Sequence, residues 1–308
     1  MRIGIGLAVP SRPDSFDQVL ERFAQAEAAG FRAVWIAGAL GYDALTLAAL
    51  GGTATRRVEL GTFVVPTFPR HPVVMAQQAL TCQAATANRL TLGIGLSHRP
   101  VIEGRFGLDF SRPVRHMREY LTVLTGLLAG EAVQFQGSQY RVSSQVRIPG
   151  AERPPVLVAA LGPQMLRVAG TLADGTAVWM GGPKYLESTA VPLITQAARE
   201  AGRPAPRVLA GFPIVVTDKG DQARATASRT FAGYGTLPSY RAVLDVEGAA
   251  DPAEVAIVGD EGEVERQLRR LAEIGVTDFN GVPFNVPDDP DARARTQQFL
   301  ADLARTWD

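Results

Sequence analysis

Short apolar runs alternate with longer amphipathic stretches along the whole chain, and this alternation is the feature that most constrains the fold. Within each run the apolar residues are continuous and do not alternate with polar ones, as in VELGTFVV and RLTLGIG. Strands that are buried on both faces have this pattern, and such strands belong to parallel sheets covered by helices. The runs are Ile3–Ala8, Arg32–Ile36, Val58–Val64, Leu90–Gly95, Val156–Ala160, Thr176–Met180, Val208–Val216 and Val276–Pro283.

The stretches between these runs have helical spacing, as in Ser15–Ala29, where apolar residues recur every three or four positions before Gly30 ends the helix. Eight strands that are each followed by a helix predict an α/β fold of the (β/α)₈ or TIM-barrel type. A doubly wound open sheet is the alternative. It usually has fewer strands, and it would need a glycine-rich cofactor loop that the sequence does not contain.

A chain of 308 residues fits one such barrel, and we assign residues 1–308 to a single domain. Two stretches depart from the repeat. Gln134–Arg147 predicts a β-excursion before strand five, and Tyr234–Asp251 is longer than one connecting helix requires. Insertions at the C-terminal ends of barrel strands usually build the substrate pocket, so we expect Tyr234–Asp251 to shape one together with Trp35 and Trp179.

Charge and cysteine content argue against several classes of function. The chain has 31 basic and 31 acidic residues, whereas nucleic-acid binding needs a basic face. Its single cysteine, Cys82, cannot form an intrachain disulfide, which fits a reducing compartment. No apolar run has the length of a membrane span, and the N-terminus lacks the pattern of a signal peptide. We therefore predict a cytoplasmic protein that acts on a small molecule and has no nucleic-acid or membrane partner.

Few residues could carry out acid–base or metal chemistry unaided. The three histidines are not at metal-ligand spacing, so no metal site is predicted. His71 is expected near a helix start, and His116 is expected on the surface of an arginine-rich helix. A nucleophile elbow, a triphosphate-binding loop and paired carboxylates at strand ends are all missing from the sequence. A barrel of this composition favours a bound cofactor that supplies the reactive chemistry.

Small residues follow strands four and five, where a barrel places its binding loops. Gly95, Leu96 and Ser97 let backbone amides approach the ring or phosphate of a ligand, although a tight turn alone is the favoured interpretation when these residues are taken by themselves. After strand five, small residues lead to Pro163, which predicts a helix N-terminus with free amides that suit an anion. An efficient helix start without a ligand is the alternative there.

Several segments resemble the luciferase-like family of flavin- and deazaflavin-dependent oxidoreductases, over nearly the whole chain. They are AEAAGFRAVWIA, RRVELGTFVVPTFPRHPVVMAQQALTCQAATANRLTLGIGLSH, FQGSQYRV, PPVLVAALGPQMLRVAGTLADGTAVWM and GDEGEVERQLRRLAEIGVTDF. Within the family, GTFVVPTFPRHP is most similar to enzymes that use coenzyme F420, a 5-deazaflavin. The resemblance implies the barrel already predicted, and a homodimer formed through barrel helices.

The resemblance also implies which residues bind the cofactor. In the deazaflavin enzymes, strand three ends in a bulge with a non-proline cis peptide behind the ring, and the matching bond here joins Phe63 to Val64. By the same matching, Gly95, Leu96 and Ser97 line the cofactor. The residues that match the binding segment for its phosphate-bearing tail are Ala159, Ala160, Leu161 and Gly162, followed by Pro163.

Two positions depart from the F420-linked sugar-phosphate dehydrogenases of this family. Those enzymes have an Asp-His pair after strand two, where this chain has Gly38-Ala39, and a glutamate after strand four, where it has His98. Sugar-phosphate oxidation is therefore not expected. The segment Ala37–Gly41 leaves open space over the ring, and a roomy apolar pocket favours reduction of a C=C or C=N bond.

His98 is the predicted proton donor, because the ordinary pKa of imidazole lies near neutral and the residue follows strand four. Tyr42 and Tyr240, from flanking loops, are the alternatives. Two other functions stay open. One is an FMN-dependent monooxygenase on the same fold, and the other is a barrel that binds a flavin without catalysing any reaction.

Overall fold

The strands form a closed barrel with helices outside it. A computed structural model describes residues 1–7, 15–38 and 41–307, and the statements below concern those residues. The strands are β1 (Arg2–Leu7), β2 (Ala33–Ile36), β3 (Glu59–Thr62), β4 (Val65–Pro66), β5 (Leu90–Gly95), β6 (Val133–Gln136), β7 (Arg141–Ser144), β8 (Val156–Ala159), β9 (Gly175–Trp179), β10 (Arg207–Val216), β11 (Ile257–Gly259) and β12 (Asp278–Pro283).

Eight of these strands pair in parallel around the barrel in the order β1, β2, β3, β5, β8, β9, β10 and β12. Pairing of β12 with β1, for example Arg2 with Asp278, and of β9 with β10 closes the ring. The predicted TIM barrel is therefore confirmed, and the open-sheet alternative is wrong. The two remaining parallel strands are short. β4 pairs with β5, and β11 pairs with the C-terminal end of β10.

The helices connect successive strands, and several of their ends follow from local sequence. They are α1 (Phe16–Ala29), α2 (Ala44–Thr53), α3 (Pro72–Ala85), α4 (Arg99–Phe106), α5 (Pro113–Leu128), α6 (Pro163–Leu172), α7 (Pro183–Tyr185), α8 (Val191–Glu200), α9 (Gly220–Gly235), α10 (Pro238–Glu247), α11 (Glu261–Ile274) and α12 (Ala292–Thr306). Ser15 and Gln18 form a capping box at the start of α1, and Gly30 ends that helix with a left-handed φ of 97°. A π-helical turn, Leu186–Ala190, joins α7 to α8.

The third predicted strand is interrupted. Val58–Val64 was expected as one continuous strand, but β3 ends at Thr62 and the Phe63–Val64 peptide bond is cis. The chain then continues as β4, which pairs only with β5. The predicted cis bond is thus confirmed, and the other predicted barrel strands agree with the observed ones to within two residues at each end.

A polar network closes the N-terminal end of the barrel. Arg207 lies 2.8 Å from Glu59 and 2.9 Å from Asp278, and Arg2 also pairs with both carboxylates. Burial by itself raises the pKa of Asp278, but the two guanidinium groups outweigh it and lower that pKa. Polar residues at this end of a TIM barrel serve stability, so the reactive groups are sought at the opposite end.

Both predicted departures from the repeat form structured insertions. The predicted β-excursion is the antiparallel hairpin β6–β7, which confirms that prediction. Tyr234–Asp251 spans the end of α9, the whole of α10 and the turn that follows it. None of the helices in the described ranges is long and apolar enough to cross a bilayer.

Candidate active site at the C-terminal mouth of the barrel

The bulge after β3 brings together residues predicted from three separate strands. A Cβ atom on Gly38 would lie only 2.2 Å from the carbonyl oxygen of Val64, and one on Gly95 would lie 2.6 Å from Val64 Cγ2. Only glycine at positions 38 and 95 leaves room for the bulge between β2 and β5. Gly38, Val64 and Gly95 therefore meet at the C-terminal ends of neighbouring strands, which we call the mouth.

The ring of Phe63 points into the barrel. A Cβ on Gly211 of β10 would lie 2.6 Å from Phe63 Cζ, and the ring of Phe63 lies 6.1 Å from the ring of Trp179 at the end of β9. Trp35 lies deeper, where it packs against Gly4 and Gly61 and is 1% exposed. Trp35 is therefore buried beneath the mouth and does not line the predicted pocket. Trp179 lies at the side of the mouth.

The turn after β5 has an unusual backbone. Ser97 adopts a left-handed φ of 60°, and His98 starts α4 without a side-chain cap. The carbonyl oxygen of Gly95 accepts a hydrogen bond from the backbone N–H of Thr67 at 2.9 Å, which ties this turn to the loop after β4. Gly95, Leu96 and Ser97 therefore form a fixed, partly accessible turn beside the bulge.

The turn after β8 leads directly into a helix. Gly162 is the N-cap of α6, Pro163 is its first residue, and no side chain caps the free amides of the first turn. Gly162 is exposed, and a Cβ there would have no neighbour within 4 Å. Ala159 ends β8, and Ala160 follows it. The hydroxyl of Tyr185 donates a 2.6 Å hydrogen bond to the carbonyl oxygen of Leu161. An open helix start with free amides is suited to an anionic group.

The insertion after β10 covers one side of the mouth with aromatic rings. Tyr240 of α10 belongs to a buried apolar cluster, and the side chains that pack against this cluster include Phe231, Tyr234, Leu237, Trp179 and Leu161. We call Phe231, Tyr234, Leu237 and Tyr240 the aromatic cover. Tyr234 lies 6.2 Å from Trp179 and 4.8 Å from Tyr240, measured between ring centroids. The expectation that Tyr234–Asp251 lies at the mouth agrees with this arrangement.

His98 lies near Tyr240, a member of this cover. Their ring centroids are 5.9 Å apart, and burial lowers the pKa of His98 while raising that of Tyr240. Both groups are therefore favoured in their neutral forms at neutral pH. Tyr42, the third candidate, instead packs edge-on against Phe16 of α1 at 5.3 Å.

His116 was predicted on the surface, and that prediction is wrong. It is 4% exposed and stacks on Phe68 with a centroid distance of 3.8 Å. The hydroxyl of Thr67 lies 2.9 Å from its Nε2 and that of Tyr140 lies 3.3 Å from its Nδ1. Thr67 also contacts the carbonyl oxygen of Gly95, so this network reaches the mouth from outside the barrel.

The signal for this network was the helical spacing of α5. His116 and Tyr120 are four residues apart and share the helix face that carries Leu124 and Leu127, all of them buried. His71 is, as predicted, at a helix start, where its Nδ1 accepts a hydrogen bond from Val73 N–H.

Other features of the described chain lie away from the mouth. Cavities of about 280 and 480 Å³ open on the outside of the barrel, the first beside Phe212 and Leu271 and the second beside Leu80 and Ile148. No group of three or more His, Cys, Asp or Glu residues is placed to hold a metal ion within the described ranges.

The mouth fits a flat cofactor with an anionic tail. The cis bulge at Phe63–Val64 and the turn at Gly95–Ser97 lie side by side, and the uncapped start of α6 follows on the next strand around the barrel. The open space around Gly162 leaves the amides there accessible. Ala39 and Leu40, which belong to the predicted space over the ring, lie outside the described residues.

Two of the similar proteins are named as F420-dependent enzymes. The F420-dependent glucose-6-phosphate dehydrogenase of Beutenbergia cavernae is 31% identical over 281 residues, which cover 86% of this chain and 78% of that protein. The structure of the coenzyme F420 dependent tetrahydromethanopterin reductase from Methanopyrus kandleri matches with a TM-score of 0.78 at 22% identity, covering 97% of each chain.

A third similar protein carries FMN. The oxygenating constituent of 3,6-diketocamphane monooxygenase from Pseudomonas putida, in complex with FMN, has a TM-score of 0.75 at 16% identity and covers 99% of this chain and 97% of its own. The two structural matches establish the fold. The family described as luciferase-like monooxygenase matches residues 2–278, and the chain therefore belongs to the luciferase-like monooxygenase family.

Proposed function

We propose that the protein is a coenzyme F420-dependent oxidoreductase that transfers a hydride between the deazaflavin and a small organic substrate, with reduction of a C=C or C=N bond as its reaction. The observation that carries this proposal is the convergence of the cis bulge, the Gly95–Ser97 turn and the open start of α6 at one mouth. The curated relatives named as F420-dependent enzymes support the choice of cofactor.

In this proposal the ring lies against the bulge at Phe63–Val64, beside Gly38 and the turn formed by Gly95, Leu96 and Ser97. The tail runs along Ala159, Ala160 and Leu161 to the free amides at Gly162 and Pro163. When bound, a deazaflavin supplies or accepts a hydride. The protein then has to position the two reactants, exclude water and move one proton.

His98 moves that proton at its imidazole ring. It lies beside the predicted ring position, and its ring lies near that of Tyr240. Because burial lowers its pKa, the imidazolium form that donates a proton is the minor form at neutral pH. Reduction is therefore expected to speed up as the pH falls.

The substrate class follows from what surrounds His98. Trp179, Tyr234 and Tyr240 present apolar ring faces on that side of the mouth. The Asp-His pair and the glutamate implied for sugar-phosphate oxidation are replaced by Gly38-Ala39 and His98. An unsaturated, largely apolar substrate suits such a wall better than a sugar phosphate does.

An FMN-dependent monooxygenase is the second candidate, because the diketocamphane enzyme binds FMN on the same fold. Side-by-side fluorescence titrations with F420 and with FMN separate the two. Tighter binding of F420 supports the proposal, whereas a yellow protein that prefers FMN and consumes oxygen with reduced flavin favours the monooxygenase.

Turnover is then measured with reduced F420 and a panel of enones and imines, against a small alcohol with oxidised F420. Reduction of any panel member supports the proposed reaction. Oxidation of the alcohol alone overturns it, and cofactor binding without hydride transfer to any acceptor supports the non-catalytic barrel.

We also propose a homodimer in the cytoplasm. Helices α2 and α3 lie side by side and contain no charged residue, and they expose Leu50 and Val74 to 37% and 45%. Uncharged helices with exposed aliphatic residues are suited to burial against a second copy. Sedimentation of the wild type and of Val74→Glu tests this, since a monomeric wild type would contradict it.

A further inference from the structure

The side chain of Glu247, the last residue of α10, inserts into the loop that follows β9. Its Oε1 accepts a hydrogen bond from the backbone N–H of Tyr185 at 2.5 Å, and Lys184 Nζ donates to its carbonyl oxygen at 2.9 Å. A Cβ on Gly182 would lie 2.4 Å from Glu247 Cδ, so the carboxylate fills the space that any side chain at 182 would need. These contacts attach α10 to the barrel.

Tyr185 extends this attachment to the turn after β8. It is 2% exposed, and its hydroxyl donates to the carbonyl oxygen of Leu161 at 2.6 Å. Burial raises the pKa of Tyr185, so the hydroxyl keeps its proton and remains a donor. Leu161 in turn packs on the cluster that contains Tyr240. The predicted tail-binding segment, the loop after β9 and α10 are thus held together by one set of contacts.

The other end of α10 carries the residue that meets His98. Tyr240 is seven positions before Glu247, which is two helical turns and therefore the same face of the helix. Two turns of helix are stiff, so the position of Glu247 determines where the Tyr240 ring lies. That ring is packed at 5.9 Å from His98 and 4.8 Å from Tyr234.

We propose that Glu247 is a positioning residue that holds the aromatic cover on the mouth and keeps Tyr240 against His98. The proposal rests on the function proposed above, because the aromatic cover forms one wall of the substrate site for that reaction. Glu247 acts through Tyr185 and Tyr240 and does not itself contact the reacting atoms.

The chain offers a matched control on the same helix. Asp245 pairs with Arg241 within α10 and is 66% exposed on its side chain, so it does not attach the helix to the barrel. Glu247→Ala removes the acceptor, while Glu247→Gln keeps an oxygen at the same place. Gly182→Ala leaves Glu247 unchanged but forces its carboxylate out of the loop.

The first measurement is hydrogen exchange of the amides of residues 220–247 in the full chain without cofactor. In Glu247→Ala and Gly182→Ala we expect roughly tenfold faster exchange, because the cover loses its attachment. Glu247→Gln and Asp245→Ala should exchange like the wild type. Wild-type exchange in Glu247→Ala would overturn the proposal.

The second measurement is turnover with reduced F420, together with F420 affinity and melting temperature. For Glu247→Ala we expect kcat/KM for the acceptor to fall about tenfold or more, since small displacements of positioning groups cost this much. F420 affinity should stay within about twofold, because the tail segment keeps its bond to Tyr185. In Glu247→Gln, kcat/KM must recover for the proposal to hold. An unchanged kcat/KM in Glu247→Ala, despite faster exchange, would also overturn the positioning role.

The two measurements separate failure of this inference from failure of the proposed function. A wild type that neither binds F420 nor reduces an acceptor contradicts the proposed function. The exchange result still decides whether Glu247 holds the cover, since that measurement involves no cofactor.

Discussion

Two histidines of this protein lie near the mouth, but their surroundings give them different capacities. His98 is half-buried, and among the described residues its recorded ring contact is with Tyr240. His116 is 4% exposed, stacked on Phe68, and hydrogen-bonded at both ring nitrogens. Burial lowers the pKa of each, and lowers that of His116 to about 4.

The difference between them lies in what a gained proton would do. A proton on His98 can be passed to a molecule in the mouth. A proton on His116 would place a charge among Phe68, Thr67 and Tyr140, where a neutral ring already satisfies one donor and one acceptor. We therefore expect His98 to take part in chemistry and His116 to contribute to stability and loop position, and four experiments test that division.

The largest effect is expected for His98→Asn. Removal of the proton donor should lower turnover by about 100-fold or more, which is the usual contribution of general acid catalysis. Cofactor affinity should barely change, because the backbone of Gly95–Ser97 remains in place. The measurement is kcat with reduced F420 and an enone, alongside a fluorescence titration.

His71→Asn is the matched control, because His71 is exposed and caps α3 away from Tyr240. In the wild type the reductive rate should rise as the pH falls below the ordinary histidine pKa, since burial lowers the pKa of His98. Full activity or an unchanged pH profile in His98→Asn would remove His98 from the mechanism.

The second effect concerns acid stability and His116. Its pKa is about 4 in the folded protein, against 6.5 ordinarily, so below pH 6.5 the unfolded chain takes up a proton that the folded chain refuses. The free energy of unfolding should therefore fall as the pH drops from 6.5 to 4, by about 3 kcal/mol from this group. Urea unfolding across this pH range measures the loss.

His116→Gln should lose this component of the pH dependence, because glutamine does not titrate, while it remains less stable than the wild type at pH 8. His71→Gln should keep the wild-type dependence. An acid slope that is identical in wild type and His116→Gln would contradict the assignment of His116 to a neutral, buried role.

A smaller effect is expected for Thr67→Val. This change keeps the side-chain shape but removes the hydroxyl that contacts His116 and the carbonyl oxygen of Gly95. We expect a loss of about 1 kcal/mol in the free energy of unfolding, the usual net contribution of a buried hydrogen bond. Thr226→Val is a suitable control, because the Thr226 hydroxyl forms hydrogen bonds with residues of its own helix, α9, including Arg229. Equal losses in the two variants would show that the network at His116 has no special importance.

The smallest effect is expected for Tyr240→Phe. If His98 donates the proton, loss of the Tyr240 hydroxyl should change kcat by less than about threefold, because the ring still packs against His98. Tyr42→Phe should be equally mild. A Tyr240→Phe variant that is as inactive as His98→Asn would transfer the proton-donor role to Tyr240.

How much of the site could be predicted depended on whether its residues are set by local sequence. Gly38, Gly95 and Gly162 lie at or within three residues of the ends of apolar strands, so their place was predictable once the strands were recognised. The arginine-rich composition of α5 predicts a surface position for His116. The helical spacing that His116 shares with Tyr120 indicates the buried face instead. Glu247 carried no local signal at all, since a glutamate at a helix end is ordinary.

The sequence by itself determined the barrel strands, the helix starts at Ser15 and Pro163, and the number of β/α units, because these depend on periodicity and backbone stereochemistry within a few residues. Only the tertiary structure decided that Tyr240 lies against His98, that Glu247 enters the loop at Gly182, and that His116 is buried. These pairs are far apart in the chain, and closure of the barrel brings their strands and insertions to one end. No local pattern encodes such a contact, because its free energy arises only when both partners lose water together.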